Sequence, residues 1–342
     1  MGATGQAAVT PERISHLAWA YTAPLMMEAA IRHGIFDLLA EDPKTIEQVA
    51  ARTGASVRGV RALMNALAGL QLLVKDDEGG FGLSADAAAY LVEGRPGYMG
   101  GMIRHTSTQL MPMWLRVSEA VETGKPPSGG VNRESVGTEF FHRFVEDLFP
   151  MNYPAARKLA AHLGLAESPR PARVLDLAAG SGVWGIALAE DAPHVSVTAV
   201  DWPGMLDLTR RVAGRHGVAD RFSFVGGDLL AADFGGGYDV ATLGHILHSE
   251  GEQRSRALLR KTFDALAPGG TIAIQEFLVN DDRSGPPNGL TFAVTMLVAT
   301  EHGDTWSFNE IADWLDEAGF EDPRTLDTPG PSPLILANRP LR

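Results

Sequence analysis

The stretch Val174-Leu175-Asp176-Leu177-Ala178-Ala179-Gly180-Ser181-Gly182-Val183-Trp184-Gly185 decides how the rest of the chain is read. It opens as an apolar strand, breaks at Gly180-Ser181-Gly182 and runs into a helix, with Gly185 completing a G-x-G-x-x-G spacing. Glycines there let backbone approach a ligand closely, and the helix N-terminus offers N–H groups that no turn of the helix satisfies. The spacing alone is shared by several nucleotide-cofactor folds, nicotinamide and flavin enzymes among them. Its surroundings have to discriminate.

Downstream the pattern alternates. SVTAVDW, FSFVGGDLL, YDVATLGHIL and TIAIQEFLV read as buried strands, with MLDLTRRVAGRHG and SRALLRKTFDALA as helices between them. A helix SFNEIADWLDEAGF and a last strand SPLILANRP close the chain. Continuous apolar strands separated by helices of roughly 10–15 residues predict a mostly parallel sheet with helices on both faces, an α/β Rossmann-like domain over 166–342.

Acids along one edge of that sheet narrow the ligand. Asp176 lies four residues before Gly180, where a carboxylate suits a cationic amine and sulfonium and would repel a pyrophosphate. Asp201 ends the second strand, 21 residues after Gly180, where it can accept from both ribose hydroxyls. Trp202 offers a face for adenine. Asp228, past the third strand, is placed for the adenine amino group, with Leu229 as an apolar edge. As single residues these acids could equally be turn and capping groups.

Upstream, residues 1–100 are mainly helical. TIEQVAARTGASVRGVRALMNALAGLQLLVKDDEGGFGLS reads as helix, turn at Gly54, second helix and a two-strand wing, a winged-helix pattern. The second helix carries only Arg58 and Arg61, and the wing is acidic at Asp76, Asp77 and Glu78. With a net charge of −13 over 342 residues, a phosphate-backbone partner is not expected. A structural or dimerising use is. Residues 101–165 form a helical linker rich in Met, Phe and Trp, interrupted by TGKPPSGGVNRES. The helix pair about Pro150 and this linker offer His105, Phe149 and Asn152 as substrate-pocket residues, each equally at home in a core.

There are no cysteines, which excludes disulfides, thiolate nucleophiles and cysteine-based zinc sites. No leader and no membrane span are expected, and Gln6 breaks a myristoylation-like start, so a cytoplasmic enzyme is the expectation.

These motifs resemble those of the S-adenosylmethionine-dependent O-methyltransferases of plant and bacterial natural-product type, over nearly the whole chain. The resemblance implies a winged-helix dimerisation domain, a Rossmann-like catalytic domain and a homodimer whose N-terminal helices help close the partner's pocket. It implies S-adenosyl-L-methionine cradled by Asp176, Gly180, Ser181 and Gly182, with Asp201 on the ribose and Asp228 and Leu229 on the adenine. It places His248 as catalytic base in LGHILHSEGEQ and Glu301, in MLVATEHGDTW, as its supporting acid. Glu276, ending IAIQEF, is a second supporting acid. Ser249 replaces the Asp that usually follows the His, and Gly244-His245 stand where a basic or polar pair is common. That variant is more similar to the bacteriochlorophyllide-type bacterial methyltransferases, some of which methylate carbon, so either an oxygen or an enolisable carbon is open as acceptor. His302 is a further substrate contact or, with His248 and either His245 or Glu301, a metal ligand. The expectation is no metal and a small, aromatic or polyketide-like substrate. Two rivals stand beside it: a nicotinamide-dependent oxidoreductase, and a cofactor-binding relative that is a hydroxylase or a regulator.

Overall fold

A computed structural model describes residues 9–127, 139–168, 170–330 and 332–342, with 139 and 140 as backbone only. The middle and end of TGKPPSGGVNRES, and the first eight residues on which the leader and myristoylation readings rest, lie outside the described residues. The chain divides into two compact units, Met1–Gln109 and Leu110–Arg342.

The first unit builds the helix–turn–helix and wing from local signals. Thr45 caps helix Ile46–Thr53 in a reciprocal box with Gln48, and Gly54, at φ 70°, ends it in the left-handed conformation that glycine adopts without cost. Ser56 caps the next helix, Val57–Gly69, by accepting from the Gly59 amide. Strands β1 (Leu73–Lys75) and β2 (Phe81–Leu83) then pair antiparallel. In the turn between them, Asp76 Oδ1 accepts from the amides of Glu78 and Gly80. Phe36, Met64, Leu67 and Phe81 are fully buried in the core of this unit. Burying each contributes about 1.5–3 kcal/mol. Helix Glu12–Trp19 buries none of its residues.

The second unit is a seven-stranded sheet in the order β5-β4-β3-β6-β7-β9-β8. Its strands are β3 (Ala172–Leu177), β4 (Val195–Asp201), β5 (Phe222–Gly226), β6 (Tyr238–Gly244), β7 (Leu266–Gln275), β8 (Glu321–Leu326) and β9 (Leu334–Asn338). The first five of these run parallel, and β9 and β8 add antiparallel at one edge. Strand order reverses between β3 and β6, so the crevice at their carboxyl ends is where such sheets bind ligands. Strand β8 is absent from the sequence reading because Glu321-Asp322-Pro323-Arg324 looks like a turn. It is tolerated because it is an edge strand with a register shift between Glu321 and Arg324, where Pro323 has no ladder bond to lose.

The unit reaches back well before residue 166 for a packing reason. Helix Val183–Asp191 is buried from Val183 to Ala189, on every side. A helix apolar all round needs cover beyond one sheet face. Helix Phe149–Leu163 supplies it, packing Ala155, Ala156 and Leu159 against Val183, Trp184 and Ala187. Among the described residues no helix is long and apolar enough to cross a membrane.

Candidate active site

The chain leaves β3 in left-handed backbone at Ala178, Gly180 and Gly182, with φ 53°, 56° and 78°. At Gly182 a Cβ would lie 2.9 Å from Thr209 Cγ2, so the turn admits no side chain there. Thr209 braces it by donating its hydroxyl to the Gly180 carbonyl at 2.7 Å. Gly185 does different work: a Cβ would lie 2.7 Å from Val197 Cγ1, so its absence lets helix Val183–Asp191 sit close on β4.

Asp176 holds this turn from beneath. Its Oδ1 accepts from the Thr242 hydroxyl at 2.8 Å and its Oδ2 from the Gly185 amide at 3.0 Å. It is fully buried, and burial pushes its carboxyl up to about 7 against the pull of those two donors. Each Asp176 oxygen thus carries one hydrogen bond from inside the protein. Asp201 Oδ2 accepts from the Gly180 amide at 2.8 Å and Oδ1 from the Trp202 amide at 2.7 Å. Burial raises it to about 6. Each oxygen of an ionised carboxylate retains a second lone pair, so Asp201 can still accept from a pair of hydroxyls. Trp202 is the residue before helix Pro203–Arg215 and is partly exposed; Ser181 is buried.

Beyond β5, Asp228 Oδ1 accepts from the Leu230 amide at 3.0 Å and Oδ2 from Arg254 Nη2 at 2.8 Å. Leu229 is buried among the core side chains under the sheet's edge. Neither Arg254 nor Thr242 figures in the sequence reading. The i,i+4 spacing of Glu250 and Arg254 is a legible helical ion pair, but nothing in it points to Asp228.

The acid–base pair forms one strand over. Gly244 closes β6, His245 turns the chain with φ 56°, and helix Leu247–Ala265 begins at once. Gly244 faces the indole of Trp184 so closely that a Cβ would lie 2.0 Å from Nε1. The small residue before His245 is thus matched to the tryptophan in the glycine motif. His248 Nδ1 lies 2.8 Å from Glu276 Oε2, and the His248 amide donates to Glu276 Oε1 at 3.3 Å. Glu276 follows β7, the neighbour of β6, so adjacent strand ends deliver both residues. Burial alone would raise the Glu276 carboxyl, but the facing His248 and then His245 hold it below its ordinary value. An ionised Glu276 accepts a hydrogen bond from Nδ1–H of His248, which leaves Nε2 outside that bond. His245 is kept neutral by burial, which lowers it to about 4.

Phe277 and Phe292 complete the surroundings. The Phe292 ring stands edge-on to His248 at 4.9 Å and tilts against Phe277 at 4.3 Å, while Phe277 lies 4.8 Å from His245. Neither figures in the sequence reading, since an aromatic in an apolar helix or strand end has no distinguishing pattern.

The other expected residues have surroundings of their own. Glu276 makes the contact to His248; the Glu301 and His302 side chains are exposed, and their segment meets the pair through backbone. The Asp304 amide donates to the His248 carbonyl at 2.9 Å, and the His302 carbonyl packs where Gly251 interrupts helix Leu247–Ala265. Phe149 stacks on Tyr153 at 5.2 Å and tilts against His216 at 4.8 Å. Asn152 lies partly buried on the same helix. His105, in the first unit, ends helix Gly100–His105 where a π-turn begins at Thr106; burial lowers it to about 4. Among the described residues, His245, His248 and Glu276 are the group able to hold a metal, with ligand atoms within 4.8 Å of one another. A metal there would have to displace the His248–Glu276 hydrogen bond.

Comparison with known proteins gives this site its context. The O-methyltransferase domain family matches residues 165–321, and the O-methyltransferase dimerisation domain matches 15–93. The chain is 34% identical to a 3-hydroxy-5-methyl-1-naphthoate 3-O-methyltransferase of Streptomyces sahachiroi, over 92% of this chain and 91% of that protein. It is 30% identical to the tetracenomycin polyketide synthesis 8-O-methyl transferase TcmO of Streptomyces glaucescens, over 96% and 97%. The solved structure of PigF with SAH (S-adenosylhomocysteine) superposes with a TM-score of 0.82 at 25% identity, over 97% of this chain and all of that one. The residues here fit S-adenosylmethionine. Gly180 and Gly182 leave bare backbone at a helix N-terminus, and Asp201 and Asp228 put two acceptors along the same sheet edge.

Proposed function

Because this chain belongs to the S-adenosylmethionine-dependent O-methyltransferases of natural-product type, we propose that it methylates a hydroxyl oxygen of an aromatic or polyketide-like metabolite, with His248 as general base. The observation that carries the base assignment is the 2.8 Å contact between His248 Nδ1 and buried Glu276. Glu276 orients the ring and fixes its tautomer, so that Nε2 accepts the acceptor's hydroxyl proton as the oxygen becomes nucleophilic. Bound S-adenosylmethionine supplies the electrophilic methyl carbon. The protein's remaining task is alignment, which Asp201, Asp228 and the glycine loop perform for the donor. Phe277 and Phe292 offer aromatic faces beside the base, which suit a flat acceptor.

The active form is a homodimer. The match to a dimerisation domain supports this, as does helix Glu12–Trp19, which leaves Ile14, Leu17 and Trp19 exposed beside Val9 and Tyr21. Apolar side chains in such number at one end of a chain mark an interaction surface. Light scattering should give twice the monomer mass, and Trp19→Asp with Leu17→Asp should shift it toward the monomer.

The reaction is tested by incubating the protein and S-adenosylmethionine with hydroxynaphthoates, hydroxyanthraquinones and enolisable keto acids, then locating the new methyl by NMR. A methyl on oxygen supports the proposal. A methyl on carbon alone would overturn the choice of atom, and no transfer to any phenol would remove the substrate class.

A further inference from the structure

Arg254 is held between two carboxylates. Its Nε donates to Glu250 Oε2 at 2.6 Å, its Nη2 donates to Asp228 Oδ2 at 2.8 Å, and both acids lie on its planar fork. Glu250 stands four residues earlier, on the other side of the break at Gly251, and anchors the guanidinium from there. Asp228 is on a loop from another part of the sheet, 26 residues away in sequence. The same helix grips that loop a second time. Lys261 Nζ donates to the carbonyls of Leu229 at 3.0 Å, Leu230 at 2.9 Å and Ala232, and lies 4.4 Å from the centre of the Phe234 ring. Two cations from helix Leu247–Ala265 therefore fix the five-residue turn Asp228–Ala232.

We infer that Arg254 is a positioning residue for the purine end of the cofactor, making Asp228 a selector for a 6-amino over a 6-oxo purine. This rests on the assignment of Asp228 to adenine in the cofactor reading above. An ion-paired carboxylate is an acceptor only. One oxygen is tied to the Leu230 amide and the other to the guanidinium plane, so the remaining lone pairs have fixed directions. An exocyclic amine can donate to such a group. A carbonyl at the same ring position meets lone pair with lone pair. Without the fork, Asp228 keeps its loop but loses the constraint on its orientation, and Glu250 loses its countercharge. A lysine retains the charge but cannot hold two carboxylates in one plane.

The test is calorimetric binding of S-adenosylhomocysteine and S-inosylhomocysteine, which differ at that ring position, to the full-length protein and to R254Q and R254K. The native protein should prefer the adenosyl compound by at least about 10-fold, the scale of one hydrogen bond to a charged group. In R254Q the ratio should fall to within about 3-fold, with R254K between the two. Circular dichroism and melting temperature check that each variant is folded, and R254K decides alone if R254Q is not. A native ratio near one would overturn the adenine assignment of Asp228. A native ratio of 10-fold or more that persists in the folded variants would overturn the role of Arg254 and leave Asp228 in place.

Discussion

The turn after β3 and the turn after β6 lie side by side in the sheet and are built by different means. The first is contiguous. Its left-handed residues, its tight turn and its helix N-terminus all come from Ala178–Val183, and Asp176 pins it from the strand that feeds it. The second needs partners from elsewhere. His245 is a left-handed residue with a full side chain, His248 is completed by Glu276 from the next strand, and Gly244 exists in its present form because Trp184 crowds it. A cofactor shared by many proteins is met by a turn that carries its own geometry. The His248–Glu276 pair, proposed to serve a particular acceptor, is assembled from separate strands.

The sharpest way to break this contrast is to remove the base and leave the cradle. His248→Ala should lower kcat by about 10²–10⁴-fold, the usual yield of a positioned general base, while S-adenosylhomocysteine affinity stays within about 3-fold. Single-turnover kinetics and calorimetry on one preparation separate the two, and an undiminished kcat would refute the base assignment. Glu276→Gln should cost less, about 10-fold, since the ring keeps a hydrogen-bonding partner but loses the charge that fixes its tautomer. The complementary change is Gly182→Ala, which places a methyl 2.9 Å from Thr209 Cγ2 at φ 78°. It should weaken S-adenosylhomocysteine binding by about 10-fold or more and destabilise by about 1–3 kcal/mol, read as a lower melting temperature. Gly244→Ala tests the link between the two turns: displacing the Trp184 indole should cost about 1–3 kcal/mol, and Trp184→Phe should recover part of it.

The remaining effect is one of pH. Asp176 is raised to about 7 and Asp201 to about 6, so the folded chain holds these protons more tightly than the unfolded chain. Their contribution to stability is complete below the ordinary carboxylate pKa near 4 and is lost as pH rises through about 6 and then about 7. The melting temperature of the ligand-free protein should therefore fall between pH 5 and pH 8, and fall less in Asp176→Asn. S-adenosylmethionine, as a cation, favours the ionised acids, so its affinity should rise across the same window. A melting temperature flat or rising in that range, in protein stripped of ligand, would contradict the burial argument.

How much of this was legible beforehand follows from the range of each interaction. The glycine turn, the Gly54 break, the DDEGG wing and the parallel sheet were readable because strand burial, left-handed glycine and capping are local and leave patterns in consecutive residues. His248 could be singled out by its place after a strand. Its partner could not be settled, because Glu276 and Glu301 both end apolar segments and only strand adjacency brings the first within 2.8 Å. Asp176 shows the same limit from the other side. Its type and position suit a cationic ligand, but nothing in them shows that Thr242, 66 residues on, and Gly185 donate to its oxygens. Strand β8 was hidden because edge position, which excuses its proline, is a property of the sheet. The sequence by itself determined the fold class and the order of the ligand-facing turns, since both are fixed by short-range periodicity and backbone chemistry. Only the tertiary structure decided which acid serves the base, which acid serves the loop, and that Arg254 reaches Asp228, because those pairings join residues whose separation in the chain carries no information about their distance in space.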